Sequence, residues 1–402
     1  MKETMQLSEL GVSVDGLDFD TLSNMEAGQG LLSSSPDDER IQKIVDHLIK
    51  TGDETQHVYT RDINIKGRAV QEAMDKYLED RHHLSSSVLS MASKSPLHLY
   101  YEYESGWKQE LDKLQKKEGY FDLGTYLHEC FLEPTKFSRV VVEPQANRAS
   151  KEGVNTLCTF WEEIITEEYQ DEPAEGFAES LINQACNGVD LEKMAGMKEY
   201  YTNLKASSKS EAVRGDHKII IDAVKYNYMA YHDRVIPRML KHSKREISMY
   251  YLDPETGLKL KIRPDAIAFE ENIGVNAIIS FKSTSSDNLM QFAYQCAKLN
   301  YPMKEAMYQE VASKVTGRNF DTTILLMMQS VPPYGVAMLV YSRDDIEAGH
   351  YRYMNAKQTA MECISKNRYP GYEVFAEEGN MGLIGLNMPE FYRSVSEKPV
   401  NI

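Results

Sequence analysis

Residues 258–282 read LKLKIRPDAIAFEENIGVNAIISFK, and this stretch decides the fold. Leu258–Pro264 (LKLKIRP) reads as a strand. Upstream, Glu246–Leu252 (EISMYYL) reads as its partner, because Asp253-Pro254-Glu255-Thr256-Gly257 between them has the composition of a hairpin turn. Asn276–Lys282 (NAIISFK) is a short apolar run suited to a buried strand. Downstream, Ser286–Leu299 and Pro302–Val315 read as helices, with Pro302 placed at a first helical position. Thr322–Met328 and Gly335–Tyr341 read as further strands, and a last helix runs from Arg343 towards Lys366. Strands clustered together with helices on either side indicate a mixed α/β (α+β) core with a central sheet of four or five strands.

Upstream of the hairpin the chain is helical in texture. DLGTYLHECFLEP places Leu123, Tyr126, Leu127, Cys130 and Phe131 at helical spacing, and Pro134 stops the run. Residues 150–240 are rich in Glu, Ala and Lys without a strong strand, and read as a helical insertion. From His82 an apolar helical pattern leads to Ser95-Pro96 and the tyrosine-rich LYYEYESGW, whose rings could stack on bases but by default pack between helices. The first eighty residues are acidic and poor in aromatics, and read as an accessory, partly disordered region. Within them SSSPDDERIQKIVDHLIKTG carries helix-capping residues at its start and Gly52 at its end. The expected organisation is therefore 1–80 accessory, 81–392 a core domain with its insertion at 150–240, and 393–402 a tail.

The bulk numbers limit the function classes. A formal net charge of −16 argues against a surface coated in basic residues for non-specific DNA binding, while leaving room for a basic groove within an acidic shell. The longest apolar runs, such as Thr323–Met328, fall far short of the ~20 residues a membrane helix requires. MKETMQLSELGVSVDG lacks a basic start followed by an apolar stretch, so no secretory signal is expected. The five cysteines, Cys130, Cys158, Cys186, Cys296 and Cys363, are scattered and form no C-x-x-C pair. A protein of a reducing cytoplasm, without a membrane partner, is the expectation.

Chemistry concentrates around the two central strands. Asp265 follows Arg263-Pro264 at the end of the hairpin, and Lys282 closes the next strand as Ser280-Phe281-Lys282. Residues 280 and 282 share a strand face, so an acid-x-lysine spacing brings both side chains to one site. Tyr301, Lys304, Glu305 and Tyr308 recur at i, i+3, i+4 and i+7, which places them on one helix face. Carboxylates at the ends of adjacent strands suit a hard divalent ion, which activates water and neutralises a scissile phosphate. Bland readings stand beside these: Asp265 as a turn cap, Lys282 as a snorkelling edge lysine, His128 as a hydrogen-bonded helix histidine, Glu246 as a strand-start charge, and Tyr301 and Tyr308 as core aromatics.

At this point the chain resembles the exodeoxyribonuclease VIII-type (RecE-like) enzymes of phages and prophages, within the PD-(D/E)XK nuclease superfamily, over roughly residues 82–392. SPLHLYY resembles the family's Ser-Pro-x-x-Tyr segment. LGTYLHECFLEP is similar to its G-x-x-x-H helix with a following Glu-Pro, which gives Gly124, His128, Glu133 and Pro134. REISMYYLDPETGLKLKIRPDAI resembles the hairpin that begins with Glu246 and ends at the metal-binding Asp265. IISFKST is similar to the Asp-x-Lys-Thr stretch, YPMKEAMY to the Gln-x-x-x-Tyr helix, and SVPPYGV and GYEV to the closing part. The resemblance implies a Mg²⁺- or Mn²⁺-dependent exonuclease on linear double-stranded DNA ends, digesting 5′ to 3′ and leaving 3′ single strands for an annealing protein. It also implies a ring-shaped homo-oligomer. Asp265 and His128 would hold metal, Lys282 would activate the water, and Tyr308 matches the family's tyrosine.

Two positions depart from that pattern. Ser280 stands where the family has its second acid, and Lys304 where it has glutamine. One explanation is a migrated acid: Glu305, from the next helix, supplies the missing metal-binding and catalytic carboxylate. Another is a catalytically inactive relative that binds DNA ends or a partner, with Lys304 pairing Asp265 or phosphate. A structure-selective endonuclease is the third. Glu246, Ser280 and Lys304 are candidate supporting residues of the site.

Overall fold

A computed structural model describes residues 38–51, 68–114, 120–132, 139–172 and 176–388. Glu133, Pro134, the tail and most of the first 67 residues lie outside them. The centre is a five-stranded sheet in the order β10-β9-β8-β7-β4. Its strands are β4 (Lys244–Arg245), β7 (Ala266–Ala268), β8 (Ala277–Thr284), β9 (Thr322–Gln329) and β10 (Val336–Val340). β8 and β9 run parallel, with Ser280 opposite Leu325 and Lys282 opposite Met327, and the other pairs are antiparallel. The parallel pair needs a long crossover, which the helices α9 (Leu289–Lys298) and α10 (Tyr301–Thr316) supply. A second sheet, β1-β5-β6, carries the expected hairpin: β5 (Ile247–Leu252) and β6 (Lys259–Ile262) flank the turn, and β1 (Arg68–Gln71) pairs with β5.

Side-chain alternation along β8 sorts the two faces of the central sheet. Ala277, Ile279 and Phe281 enter one apolar cluster, in which each fully buried Ile or Phe contributes roughly 1.5–3 kcal/mol. That face is covered by α1 (Glu39–Thr51), α3 (Tyr120–Leu132), α7 (Gly215–Ala230) and α8 (Val235–Leu240). Ile278 enters a cluster on the other face, with α10, α2 (Ser86–Ala92), α11 (Arg343–Lys366) and the hairpin. Ser280 and Lys282 follow Ile278 on that second face, so the polar site starts where this apolar cluster ends.

The observed elements refine the sequence reading. β7 was not anticipated; its three residues are all buried and show no alternation to betray a strand. The segment before residue 80 contributes to the core. Ile44 and Leu48 are buried in it, and the buried Arg40 donates to the backbone oxygens of Asp321 (3.3 Å) and Tyr341 (2.8 Å). The stretch 150–240 is not helical throughout and is not one unit. α4 (Lys151–Glu168), α5 (Phe177–Cys186) and α6 (Met194–Ser207) close their own apolar cluster around Trp161 and Leu204. A short parallel pair, β2 (Arg139–Val141) with β3 (Ser210–Ala212), joins it. From Gly215 onwards Ile221, Val224 and Tyr228, spaced three and four apart, face the main core instead. All five cysteines are unpaired.

Candidate active site at the open edge of β8

β7 pairs with β8 only as far as Ile279, so the edge of β8 beyond that residue is open on the β7 side. Asp265, immediately before β7, fills that gap. Its Oδ2 accepts the Phe281 backbone N–H at 2.6 Å, a charge-assisted bond that fixes the carboxylate at the strand edge. A strand residue sends its N–H and C=O to the same side, so the Phe281 carbonyl faces this edge as well.

On the α10 side of the sheet, Ser280 Oγ lies 2.9 Å from both carboxylate oxygens of Glu305, which is 2 % exposed. Lys282 Nζ lies 3.9 Å from Asp265 Oδ2 and 3.9 Å from Glu305 Oε1. Burial raises the pKa of Glu305, against the opposing pull of Lys282 and of the Ser280 hydrogen bond. For Lys282, burial favours the neutral amine, but the charges of Asp265 and Glu305 outweigh it and raise its pKa. Both carboxylates therefore favour the ammonium form of Lys282.

The helix face Tyr301-Lys304-Glu305-Tyr308 is assembled as the spacing predicts. Both Lys282 (5.4 Å) and Lys304 (5.3 Å) sit over the Tyr301 ring. Burial, followed by the Lys282 charge, lowers the pKa of Lys304, and no carboxylate lies within ion-pairing distance of it among the described residues. The suggested Lys304–Asp265 pair is not formed; Lys282 occupies that role. The Tyr308 phenol shares a hydrogen bond with Ser86, and burial next to Glu305 pushes it up to about 12.

His128 approaches from the opposite face of the sheet. Gly124, one turn earlier on α3, makes this possible: a β-carbon there would stand 3.2 Å from Ser283 Oγ, so the glycine brings the helix close to β8. His128 Nδ1 then lies 3.9 Å from Asp265 Oδ1, and burial lowers its pKa against the attraction of Asp265, favouring neutral imidazole. Asp265 thus stands between His128 on one face and Lys282 with Glu305 on the other. Among the described residues no three His, Cys, Asp or Glu side chains form a group that could hold a metal, so His128, Asp265 and Glu305 do not converge on one point. The donor chemistry fits a magnesium-like ion that takes one or two carboxylates and completes its shell with water and substrate phosphate.

A cleft of about 830 Å³ opens on the His128 side, lined among others by His128, His217, Glu246, Arg263, Asp265 and Ser283. Glu246 does not begin a strand; it adopts a left-handed backbone (φ 54°), and its Oε2 accepts from Arg263 Nε at 2.6 Å. Arg263, His217 and the hydroxyl run Ser283-Thr284-Ser285 in this cleft were not singled out from the sequence. The run of hydroxyls directly after Lys282 was the available signal.

The family model for a PDDEXK-like domain of unknown function (DUF3799) matches residues 85–378. The chain belongs to this PDDEXK-like family. The superfamily and the mixed α/β architecture expected from the sequence are thereby met. Two solved structures are similar at low identity. One is the "Putative exonuclease" from Eubacterium rectale, at 11 % identity and TM-score 0.39, covering 81 % of this chain and 99 % of that one. The other is SSO0001, at 15 % identity and TM-score 0.21, covering 62 % of this chain and 88 % of that one. No curated protein matches. No helix among the described residues of this PDDEXK-like protein is long and apolar enough to cross a membrane.

Proposed function

We propose that this PDDEXK-like protein is a Mg²⁺- or Mn²⁺-dependent exodeoxyribonuclease acting on the ends of linear double-stranded DNA. The observation that carries the reading is the placement of Glu305: its carboxylate is clamped by Ser280 and flanked by the same lysine that flanks Asp265. The acid missing from β8 is supplied by the facing helix, which keeps two carboxylates beside Lys282.

In this reading Asp265 and Glu305 would hold the divalent ion, and His128, which does not converge with both of them, would act through Asp265. When bound, the ion supplies an acidified water and neutralises charge on the scissile phosphate. Lys282 holds the carboxylates in register and, as an ammonium, stabilises the negative charge that grows on phosphate oxygen. Tyr308 and Ser86 fix α10 against α2, which keeps Glu305 facing Ser280. Lys304 and Tyr301 border the site on its other side. Digestion from 5′ to 3′, hand-over of a 3′ strand to an annealing protein and assembly into a ring follow from the resemblance to exodeoxyribonuclease VIII-type enzymes.

The test compares end-labelled linear and covalently closed duplexes, with and without Mg²⁺. Mg²⁺-dependent loss of the linear form alone is the expected result. Cleavage of both forms would indicate an endonuclease, and binding without cleavage would mean that the closed Ser280–Glu305–Lys282 arrangement marks an inactive site.

A further inference from the structure

We infer that Arg263 is a substrate-phosphate contact of this site: its guanidinium holds a phosphodiester of the DNA strand in the cleft beside Asp265. This rests on the nuclease reading above and deepens it.

Arg263 is 8 % exposed, a degree of burial that an arginine reaches only with most of its donors satisfied. Nε donates to Glu246 Oε2 at 2.6 Å, and Nη1 donates to the Glu72 backbone oxygen and to Ser248 Oγ, both at 2.9 Å. Tyr77 packs beside the group, its ring centroid 6.0 Å from Cζ. These contacts come from two separate segments, 72–77 and 246–248, and hold the guanidinium plane in place.

Nη2 is different. It has no hydrogen-bond partner among the described residues, and it is not one of the orphan nitrogens sealed from solvent. Arg263 lines the cleft together with Asp265 and His128, and Nη2 is its one nitrogen for which no protein partner stands among the described residues. A buried cation with two free, immobile N–H donors suits an oxyanion, and phosphate is the oxyanion the site is built to cut.

Glu246 opposes this by neutralising part of the cationic charge, and Asp75 and Asp265 add negative charge to the same cleft. Fixed geometry weighs on the other side, because no side-chain entropy is lost when the phosphate arrives.

The test is a binding scan. A short linear duplex carries one neutral methylphosphonate, moved linkage by linkage from the end, and anisotropy is read in Ca²⁺ for wild type, Arg263→Gln and Arg263→Lys. Wild type is expected to lose about tenfold in affinity at one linkage. Arg263→Gln should lose less than about twofold there while matching wild type elsewhere, and Arg263→Lys, without the planar fork, should fall between. Identical profiles for wild type and Arg263→Gln would overturn the inference. Should the variants fail to fold, a wild-type profile in which no linkage stands out would also overturn it. Cleavage of the unmodified duplex in Mg²⁺ is measured in parallel: its absence sinks the nuclease reading, whereas cleavage with a flat profile sinks Arg263 alone.

Discussion

Two lysines in this protein each stand between two carboxylates, and α10 supplies one carboxylate to each. Lys357 lies 3.1 Å from Asp253 and 3.4 Å from Glu310. Lys282 lies 3.9 Å from Asp265 and 3.9 Å from Glu305. The first set is tight: Asp253 also accepts from Thr256 at 2.6 Å, and Tyr353 donates to Glu310 at 3.1 Å. It ties the hairpin turn to α10 and α11, and its Glu310 lines a separate cleft of about 510 Å³. In the second set the lysine contacts are longer, while Ser280 holds Glu305 at 2.9 Å and the Phe281 N–H holds Asp265 at 2.6 Å, and Asp265 opens onto the cleft. Contact distance separates the two. Direct ion pairs satisfy each other and hold the fold, whereas carboxylates kept at arm's length by a lysine retain oxygen lone pairs for another cation. By this criterion the Lys357 network holds the fold, and the Lys282 network is the one we propose serves the metal site.

The contrast can be broken from either side. Asp265→Asn should have the largest effect, lowering Mg²⁺-dependent cleavage on the order of 10³-fold, since a metal ligand contributes several kcal/mol to the transition state. Urea melting should place its stability within about 1 kcal/mol of wild type, because an amide oxygen still accepts the Phe281 N–H. Lys357→Met should do the reverse. Stranding the buried Asp253 and the neighbouring Glu310 costs about 3–5 kcal/mol of stability, with cleavage per folded molecule unchanged. A Lys357→Met protein that stays stable but loses cleavage would collapse the distinction.

Lys282→Met is expected to reduce cleavage roughly 10²-fold, the scale of a positioned proton- or charge-handling side chain. The smallest effect concerns pH. Burial raises the pKa of Asp253, but hydrogen bonds from Thr256 and Lys357, and the Lys357 charge, bring it below the ordinary aspartate value. A depressed carboxylate stabilises the fold above the unfolded pKa, about 3.9, and that contribution is lost as pH falls through the folded value. The stability gap between wild type and Asp253→Asn, measured by urea denaturation, should therefore be full at pH 6 and shrink below about pH 4. A gap that widens on acidification would contradict the assignment.

Much of this was legible in the sequence because period and spacing carry it. The i, i+3, i+4, i+7 face of α10 and the Ser280-x-Lys282 strand face met as expected, whereas the hydrogen bond between Ser280 and Glu305 was not foreseen. The Arg343–Lys366 helix and the hairpin around Asp253–Gly257 were readable for the same reason. Strands β3 and β7 were not, since three residues are too few to show alternation. The protonation of Lys282 was hidden as well, because it depends on two distances set by tertiary packing. Arg263 was not singled out, because Glu246, Ser248 and Glu72 close around it only in the folded chain.

The central claim is that Glu305 replaces the acid that Ser280 has lost. The direct test is the Mg²⁺-dependent cleavage rate of an end-labelled linear duplex by Glu305→Ala, with folding verified by melting. The account predicts that cleavage is abolished, a loss of at least about 10²-fold. Cleavage by Glu305→Ala at the wild-type rate would contradict it and remove the migrated acid from the site.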